Sequence, residues 1–145
     1  MTRSERSVEI KVPPEKVWDI LALDRMQEWV EGVKVEYTSE VRTPGDKYRV
    51  GATAHLSVKS EGEHDVEITE SVENERMTYR SKPPYYKYTA TYMLKPVEGG
   101  TELTWMSDYE MPWGILGKFL LLFFQRAGEK EYEKSLGKLK NILET

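Results

Sequence analysis

Six consecutive segments of this chain alternate apolar and polar residues, and a single long helical pattern follows them. Alternation with a period of two is typical of a strand that buries one face, and it recurs from about Val33 to Tyr109 with turn residues between the segments. The same period occurs once earlier, from Val8 to Val12. From about Trp113 to Leu143, apolar residues instead recur with the period of a helix. An antiparallel sheet with one apolar face must be covered, and only this helix is long enough to cover it.

Two short helical patterns lie between the first strand and the other six. Pro13 and Pro14 end the first strand, because proline cannot donate a hydrogen bond to a sheet but suits the first turn of a helix. Apolar residues then recur at helical spacing from Val17 to Leu21, and a second short helix is predicted from about Asp24 to Val30. The predicted fold class is therefore α+β, with one strand, two short helices, six strands of an antiparallel meander and a long C-terminal helix.

The composition limits the kinds of partner. A length of 145 residues is typical of one domain, so residues 1–145 are predicted to form a single domain. With 25 acidic against 21 basic residues, the chain lacks the excess of Lys and Arg that binds phosphate backbones, and no nucleic-acid partner is predicted. The absence of cysteine excludes disulfides and thiolate metal sites. The polar N-terminus does not resemble a signal peptide, and the longest apolar run, 115–124, is too short to span a bilayer. A cytoplasmic protein without a transmembrane segment is therefore expected.

Several motifs resemble those of a known family. They are VEIKVPPEKVWDIL at 8–21, EWVEGV at 28–33, GGTELTW at 99–105 and SLGKLK at 135–140. The first motif is the most specific, and the last is common in amphipathic helices. With these motifs the chain resembles the START-like (SRPBCC) ligand-binding superfamily over nearly its whole length. Within that superfamily it is most similar to the polyketide cyclase/dehydrase and lipid transport group.

The resemblance implies a helix-grip fold, in which a strongly curved antiparallel sheet of seven strands wraps around the C-terminal helix and leaves a cavity between them. Members of the superfamily include lipid carriers, plant-hormone receptors, aromatase/cyclases and a chaperone activator. Because its catalytic members share no universal motif, the resemblance transfers no catalytic residue to this chain.

The inward face of the predicted sheet is rich in aromatic residues and is interrupted by small ones. By parity it carries Tyr79, Tyr86, Tyr88, Tyr92, Trp105 and Tyr109, beside Ala52, Ala54, Ala90, Ser81 and Ser107. Aromatic side chains with polar tips can enclose and orient an amphipathic ligand, although they can also simply fill a core. The predicted ligand-binding residues are Trp29, Met77, Tyr79, Tyr88, Tyr92, Trp105, Tyr109, Leu116, Leu120 and Phe123.

The start of the long helix, 113–124, is apolar on nearly all sides, which a helix with one solvated face does not require. Part of this segment must face the sheet. The remainder is predicted either to be covered by the two short helices or to meet the mouth of the ligand site, a second subunit or, transiently, a membrane surface. A monomer and a homodimer both remain open.

Candidate catalytic and metal-binding residues are few. Glu70 has the parity of Val66 and Ile68, and a carboxylate in an apolar cavity would have a raised pKa suited to acid–base chemistry. A strand end or a bulge would instead place it in water. His55 is predicted to face solvent and His64 to lie near a hairpin, and neither has a partner at metal-ligand spacing. Beyond the candidate Glu70 the sequence predicts no catalytic residue, no metal site and no cofactor.

The expected function is binding or transport of a small hydrophobic or amphipathic molecule between the sheet and the C-terminal helix. The aromatic inward face and the lack of a recognisable catalytic set favour binding over catalysis. The alternative is a cofactor-free cyclase or dehydratase acting on a polyketide-like or aromatic substrate. A second alternative is a protein-interaction adaptor that uses the apolar start of the long helix.

Overall fold

The computed structural model describes residues 2–59, 62–82, 87–110 and 114–145, and the side chains at positions 2, 110 and 114–128 lie outside this description. Within these ranges the strands are β1 (Thr2–Ile10), β2 (Val33–Tyr37), β3 (Thr53–Val58), β4 (Gly62–Val72), β5 (Arg76–Ser81), β6 (Lys87–Val97) and β7 (Gly100–Glu110). The helices are α1 (Pro14–Ile20), α2 (Met26–Trp29) and α3 (Gly114–Glu144), with 3₁₀ turns at Leu23–Arg25 and Pro44–Lys47.

The described strands form one antiparallel sheet in the order β1-β7-β6-β5-β4-β3-β2. From β2 to β7 every pair of neighbours in the sheet is also consecutive in the chain, which confirms the predicted meander. β1 pairs with β7, so the first and last strands lie side by side. This curved sheet of seven described strands and its C-terminal helix confirm the α+β class and the helix-grip architecture.

β1 begins earlier than the hydrophobic pattern predicts. The pattern starts at Val8, whereas the pairing with β7 extends from Thr2 opposite Tyr109 to Ile10 opposite Thr101. The inward residues before Val8 are polar: Ser4 is 0% exposed, and Arg6 pairs with Glu129 of α3. Backbone pairing with a long partner strand therefore extends β1 where hydrophobic periodicity gives no signal.

The predicted second helix is shorter than expected and begins differently. Asp24 lies inside the 3₁₀ turn Leu23–Arg25, and only Met26–Trp29 is α-helical. Gly32, with a φ of 75°, redirects the chain into β2. Leu23, Met26 and Trp29 are all buried, so this short element fixes Trp29 against the inward face of the sheet.

The C-terminal half of α3 packs along β1. Leu136 and Leu139 are buried in the core. The Arg6 guanidinium pairs with the Glu129 carboxylate at 2.8 Å. At the end of the helix, the backbone N–H of Lys11 donates to the Glu144 carboxylate at 2.9 Å. Apolar burial and polar contacts along this half therefore hold α3 in one position against the first strand.

Gly100 lies at the start of β7, close to the backbone at the end of β1. A Cβ atom at this position would lie 2.0 Å from the carbonyl oxygen of Ile10 and 2.9 Å from its carbonyl carbon. These are backbone atoms of a paired strand, so they cannot move without disturbing the pairing of β1 with β7. Any residue with a Cβ atom would clash with the Ile10 backbone at this position, so the fold requires glycine here.

We expect Gly100→Ala to lower the free energy of unfolding by about 3 kcal/mol, because relief of the overlap must shift a paired strand. Gly45→Ala is the matched control, since its Cβ would meet the Thr43 hydroxyl only at 3.8 Å. The control should change stability by less than about 1 kcal/mol. Urea denaturation of both variants measures the difference, and equal effects would contradict the steric explanation.

Candidate functional site

An aromatic cluster covers the inward face of strands β5 to β7 and touches helices α2 and α3. We define the aromatic cluster as Trp29, Tyr79, Tyr88, Tyr92, Trp105, Tyr109 and Tyr132. Five of its members come from adjacent strands at positions of the same parity. The register places Tyr92 opposite Trp105 and Tyr88 opposite Tyr109, so these rings are direct cross-strand neighbours.

Three rings of the cluster are mutual neighbours at its centre. The ring centroids of Trp29 and Trp105 are 5.1 Å apart, those of Trp29 and Tyr92 6.0 Å, and those of Tyr92 and Trp105 5.7 Å. Trp29 meets both partners edge to face, the arrangement that the aromatic quadrupole favours. The three residues are 1%, 5% and 0% exposed in the order Trp29, Trp105, Tyr92, so this centre is closed to water.

Tyr132 joins α3 to the sheet and was not predicted as a site residue. Its ring stacks on that of Trp105, with the centroids 3.7 Å apart and the planes within 6°. Its hydroxyl makes a hydrogen bond with the Ser107 hydroxyl and lies 3.5 Å from the hydroxyl of Tyr109. A sequence signal did exist, because Tyr132 precedes the buried Leu136 by four residues and therefore lies on the same face of the helix.

Some buried polar atoms at the centre of the cluster have no hydrogen-bond partner among the described residues. Within the described part of the chain, the indole nitrogens of Trp29 and Trp105 and the hydroxyl oxygen of Tyr92 are buried and make no hydrogen bond. Buried polar groups in folded proteins are nearly always paired. Three such atoms on mutually neighbouring rings therefore mark this place as unusual.

His64 lies inside the sheet, next to the aromatic cluster. It is 6% exposed, and its Nε2 atom is 2.5 Å from the hydroxyl oxygen of Tyr88. The backbone N–H of Tyr88 in turn donates to the Ser81 hydroxyl at 3.0 Å. The sequence predicts only that His64 lies near a hairpin, although its parity matches that of Val66 on the buried face of β4. The same alternation that located the tyrosines could therefore have located this histidine.

Burial changes the protonation of the polar groups in this interior. Burial raises the pKa of the Tyr92 hydroxyl well above its usual range, and the nearby Tyr79 adds to the shift. Burial also raises the pKa of the Tyr132 hydroxyl, with a further contribution from Tyr109. In contrast, burial lowers the pKa of His64. At neutral pH these tyrosines are protonated and His64 is an uncharged imidazole.

Glu70 does not lie on the inward face, so the predicted parity is wrong for this residue. The pairing of β4 with β5 shifts between Ile68 and Glu70, where a β-bulge reverses the direction of the following side chains. The Glu70 side chain is 48% exposed and its carboxylate pairs with Arg76 at 2.8 Å. Glu70 therefore lies in water, which is the position expected for a residue at a bulge.

The remaining predicted site residues divide into two groups. Met77 is buried within the core, on the same strand as Tyr79. The side chains of Leu116, Leu120 and Phe123 lie outside the described residues, and so does Tyr86. Contacts of the apolar segment 113–124 with a ligand, a subunit, an adaptor partner or a membrane therefore stay predictions.

Other features of the described residues do not form a second site. No group of three His, Asp or Glu side chains within the described ranges is placed to hold a metal ion. None of the helical stretches described here combines the length and hydropathy of a membrane span. An open groove of about 290 Å³ is lined in part by Arg25, Arg42 and Lys47. Each of these cations already lies 2.7 Å from a carboxylate, so the groove has no uncommitted charge of its own among these residues.

The two histidines should affect stability in opposite pH ranges. His55 is exposed, and its hydrogen bonds with Asp65 and then Glu63 raise its pKa, whereas burial lowers the pKa of His64. An unfolded histidine titrates at about 6.5. Below that pH the unfolded chain takes up a proton that buried His64 resists, so stability falls with acidification. Above it, folded His55 keeps a proton that the unfolded chain loses, so stability falls as the pH rises through the raised pKa of His55.

We therefore expect His64→Gln to flatten the acid side of the stability profile and His55→Gln to flatten the alkaline side. The urea midpoint of each variant, measured at intervals between about pH 5 and pH 8.5, tests this directly. The two variants control for each other, because these are the only histidines in the chain. An unchanged acid slope in His64→Gln would show that the imidazole is not held neutral by burial.

Comparison with known proteins identifies relatives of this fold. The protein MLL2253 from Mesorhizobium loti is 20% identical, with a TM-score of 0.73, over 97% of this chain and 96% of that chain. TTHA0849 from Thermus thermophilus is 19% identical, with a TM-score of 0.74, over 96% of this chain and 94% of that one. The Aha1 dimer from Colwellia psychrerythraea is 17% identical, with a TM-score of 0.72, over 99% and 97%. No curated protein matches the sequence.

Similarity to these structures shows the shared fold alone, because their sequences are at most 20% identical to this one. The family model described as polyketide cyclase / dehydrase and lipid transport provides the stronger assignment, since it matches residues 1–144. The order of strands and helices agrees with that match. The chain belongs to the polyketide cyclase/dehydrase and lipid transport family.

Proposed function

We propose that the chain binds and carries one small hydrophobic or amphipathic molecule at the aromatic cluster, between the sheet and α3. The observation that carries this proposal is the set of buried polar tips at Trp29, Tyr92 and Trp105 that have no hydrogen-bond partner within the described residues. A bound molecule with a suitable polar group would supply the missing partner. Its apolar body would contact the aromatic rings.

The energetic cost of these polar tips supports a binding role. A buried donor or acceptor without a partner costs about 1–3 kcal/mol. A site that served only as core could use phenylalanine or leucine and avoid this cost. Polar side-chain atoms in a buried aromatic centre are therefore reasonable if a bound ligand forms hydrogen bonds with them.

The partly buried Tyr37 shows how this chain pairs a tyrosine hydroxyl that has a structural role. The Tyr37 hydroxyl accepts a hydrogen bond from the Leu23 backbone N–H at 3.1 Å and donates one to the Lys47 carbonyl at 3.0 Å. It joins β2 to both 3₁₀ turns. Tyr92 is more deeply buried and has no such partner among the described residues, which favours a different role.

Family membership supports the same class of ligand. The description of the family includes lipid transport beside polyketide cyclase and dehydrase activities, and a lipid is a molecule with a large apolar part. The fold shared with the solved structures supports enclosure between the sheet and the helix. The exposed ion pair of Glu70 removes the one carboxylate that was considered for catalysis, which favours binding over an enzymatic role.

Tyr92→Phe and Tyr37→Phe should change the free energy of unfolding of the ligand-free protein in opposite directions. We expect Tyr92→Phe to raise the free energy of unfolding by about 1 kcal/mol, because it removes a buried hydroxyl without a partner. Tyr37→Phe should lower it by about 1–2 kcal/mol, because two backbone groups lose their partner. Chemical denaturation of delipidated protein measures both. Equal destabilisation would mean that the Tyr92 hydroxyl is paired without a ligand, and the proposal would lose its main support.

Binding itself is tested in two steps with the full chain. Protein purified under native conditions is extracted with organic solvent, and the extract is analysed by mass spectrometry. The delipidated protein is then titrated with the uncharged fluorophore N-phenyl-1-naphthylamine, for which we expect saturable binding of one molecule per chain. Tyr92→Phe should weaken this binding, whereas Tyr48→Phe, outside the cluster, should leave it unchanged. No extracted molecule together with no saturable binding would refute the proposed function.

A cyclase or dehydratase reaction is the second candidate, and one observation favours it. The Nε2 atom of His64 lies 2.5 Å from the Tyr88 hydroxyl oxygen, so a potential proton acceptor and a potential proton donor are adjacent within the sheet. Burial lowers the pKa of His64, which keeps the imidazole able to accept a proton at neutral pH.

If this candidate is correct, the purified protein should convert a poly-β-carbonyl thioester faster than buffer alone. His64→Gln should then lose about 100-fold or more in rate, which is typical for removal of a general base. His55→Gln is the matched control and should retain full activity, because His55 is exposed on the opposite face of the sheet. Product analysis by liquid chromatography gives the rates. Equal rates with and without protein would exclude the reaction for this substrate.

A further inference from the structure

Lysine side chains surround one carboxylate where α3 passes the turn between α2 and β2. The Nζ atom of Lys134 lies 2.7 Å from the Glu31 carboxylate. The hydrogen bond and the charge of Lys134 lower the pKa of Glu31, and the charges of Lys138 and Lys59 lower it further. The backbone N–H of Lys59 donates to the Gly32 carbonyl at 2.9 Å, which holds this lysine beside Glu31. Three positive charges therefore share one exposed negative charge.

The same side of α3 carries a row of lysines. Lys130, Lys134 and Lys138 follow one another at intervals of four residues, so they lie one above the other on the helix. All three are exposed, as is Lys59. We define the lysine patch as Lys59, Lys130, Lys134 and Lys138. Among the described residues, Lys59, Lys130 and Lys138 form no ion pair, so their ammonium groups are available to a partner.

The lysine patch has an excess of positive charge, although the chain as a whole is acidic. Glu129 and Glu133 lie on the other side of the helix, where they approach Arg6 of β1 at 2.8 and 3.9 Å. Four positive charges in the patch face the two negative charges of Glu31 and Glu131, which leaves an excess of two on a chain whose net charge is −4. Because charges interact over a Debye length of about 8 Å, a nearby anion senses the patch rather than the net charge.

Three kinds of partner carry the negative charge that such a patch attracts, and its residue type separates them. Lysine is depleted in interfaces between proteins, so a patch of lysines alone is a poor fit to an acidic protein. A nucleic acid is bound by neutralisation of many phosphates, for which an excess of two charges is small. An anionic bilayer accepts each ammonium group without a fixed geometry, and each adjacent lysine adds to the attraction. Residue type and charge therefore favour a bilayer.

The row of lysines ends at an exposed apolar side chain. Ile142 follows Lys138 by four residues and is 36% exposed. Lysine ammonium groups attract anionic headgroups, and an adjacent apolar side chain can enter the boundary between headgroups and acyl chains. The methylene stems of the lysines can lie along the same boundary. Charge and apolar exposure on one side of the helix therefore both suit a bilayer surface.

We propose that the lysine patch docks the protein on an anionic bilayer surface. The inference rests on the proposed function, because a carrier of a poorly soluble apolar molecule must exchange it with a compartment that holds such molecules, and a bilayer does so. Glu31 is then a restraint on docking, since it neutralises Lys134 in the free protein. Removal of Glu31 should therefore strengthen the attraction that removal of the lysines weakens.

Sedimentation with sucrose-loaded vesicles tests the proposal on the full chain. One vesicle preparation contains phosphatidylcholine alone, and the other also contains phosphatidylserine at about 30%. We expect the protein to sediment with the anionic vesicles and to remain in solution with the neutral ones. Because screening weakens attraction between exposed charges, a rise in salt from about 0.05 M to about 0.5 M should reduce the bound fraction at least about tenfold.

A matched pair of double variants tests the position of the contact. Lys134→Gln with Lys138→Gln should weaken binding to anionic vesicles about 20-fold, because each lysine near such a surface contributes about fivefold. Lys87→Gln with Lys95→Gln changes the net charge equally on the outer face of β6 and should leave the affinity within about twofold. Circular dichroism confirms that both proteins are folded, which we expect because all four side chains are exposed.

Glu31→Gln provides a test in the opposite direction. The variant removes the carboxylate that neutralises Lys134, and we expect it to bind anionic vesicles about fivefold more tightly. Glu102→Gln, on the outer face of β7, removes the same charge away from the patch and should have little effect. Tighter binding cannot result from a loss of folded protein, so this variant remains informative if the lysine variants are unstable.

The outcomes distinguish this inference from the proposed function. Equal binding to both vesicle preparations, equal loss in the two double variants, or unchanged binding of Glu31→Gln would each overturn docking through the lysine patch. If the uncharged fluorophore still bound the delipidated protein, the proposed function would stand without it. Docking as expected, together with no extracted molecule and no saturable fluorophore binding, would overturn the proposed function alone.

Discussion

The pairing of β1 with β7 joins the first and last strands of the described sheet, and the aromatic cluster depends on it. This ladder runs over the whole of β1, and the Thr101 hydroxyl secures its closed end by donating to the Val12 carbonyl at 2.8 Å. α3 packs along β1, so the position of β1 decides where Tyr132 meets Trp105. Because these contacts join distant parts of the sequence, they carry a large cost of loop closure. The site is therefore a property of the closed fold, which no local segment could form by itself.

The distribution of charge separates the two faces of the sheet. Cross-strand ion pairs on the outer face, such as Arg3 with Asp108 at 2.9 Å and Arg80 with Glu67 at 3.1 Å, involve partly exposed side chains. Pairs of this kind contribute about 0–1 kcal/mol each, so they add little to stability. The inward face carries far less charge. There Arg6, which lies opposite Trp105, pairs with the Glu129 carboxylate of α3 at 2.8 Å.

Much of the site could be predicted from alternation alone, because a strand that buries one face must place every second residue there. Tyr92 and Trp105 were located in this way, and their burial follows the predicted parity. The same rule failed at Glu70, since a bulge inserts one residue and leaves no hydrophobic signal in the sequence. Tyr132 was missed because its hydroxyl and charged sequence neighbours obscure a partly buried helix position. Its stack on Trp105 depends on the packing of α3 against the sheet, which no local pattern specifies.

The stack of Tyr132 on Trp105 also restricts how a molecule could enter or leave the interior. The C-terminal half of α3 is joined to the sheet by this stack, by the hydrogen bond with Ser107 and by the ion pair of Arg6 with Glu129. To lift this half as a lid, all of these contacts would have to break at once, together with the burial of Leu136. Such a movement would have a high kinetic barrier. If the chain carries a ligand as proposed, this half of the helix is a fixed wall of the site, and passage of the ligand requires motion in another part of the molecule.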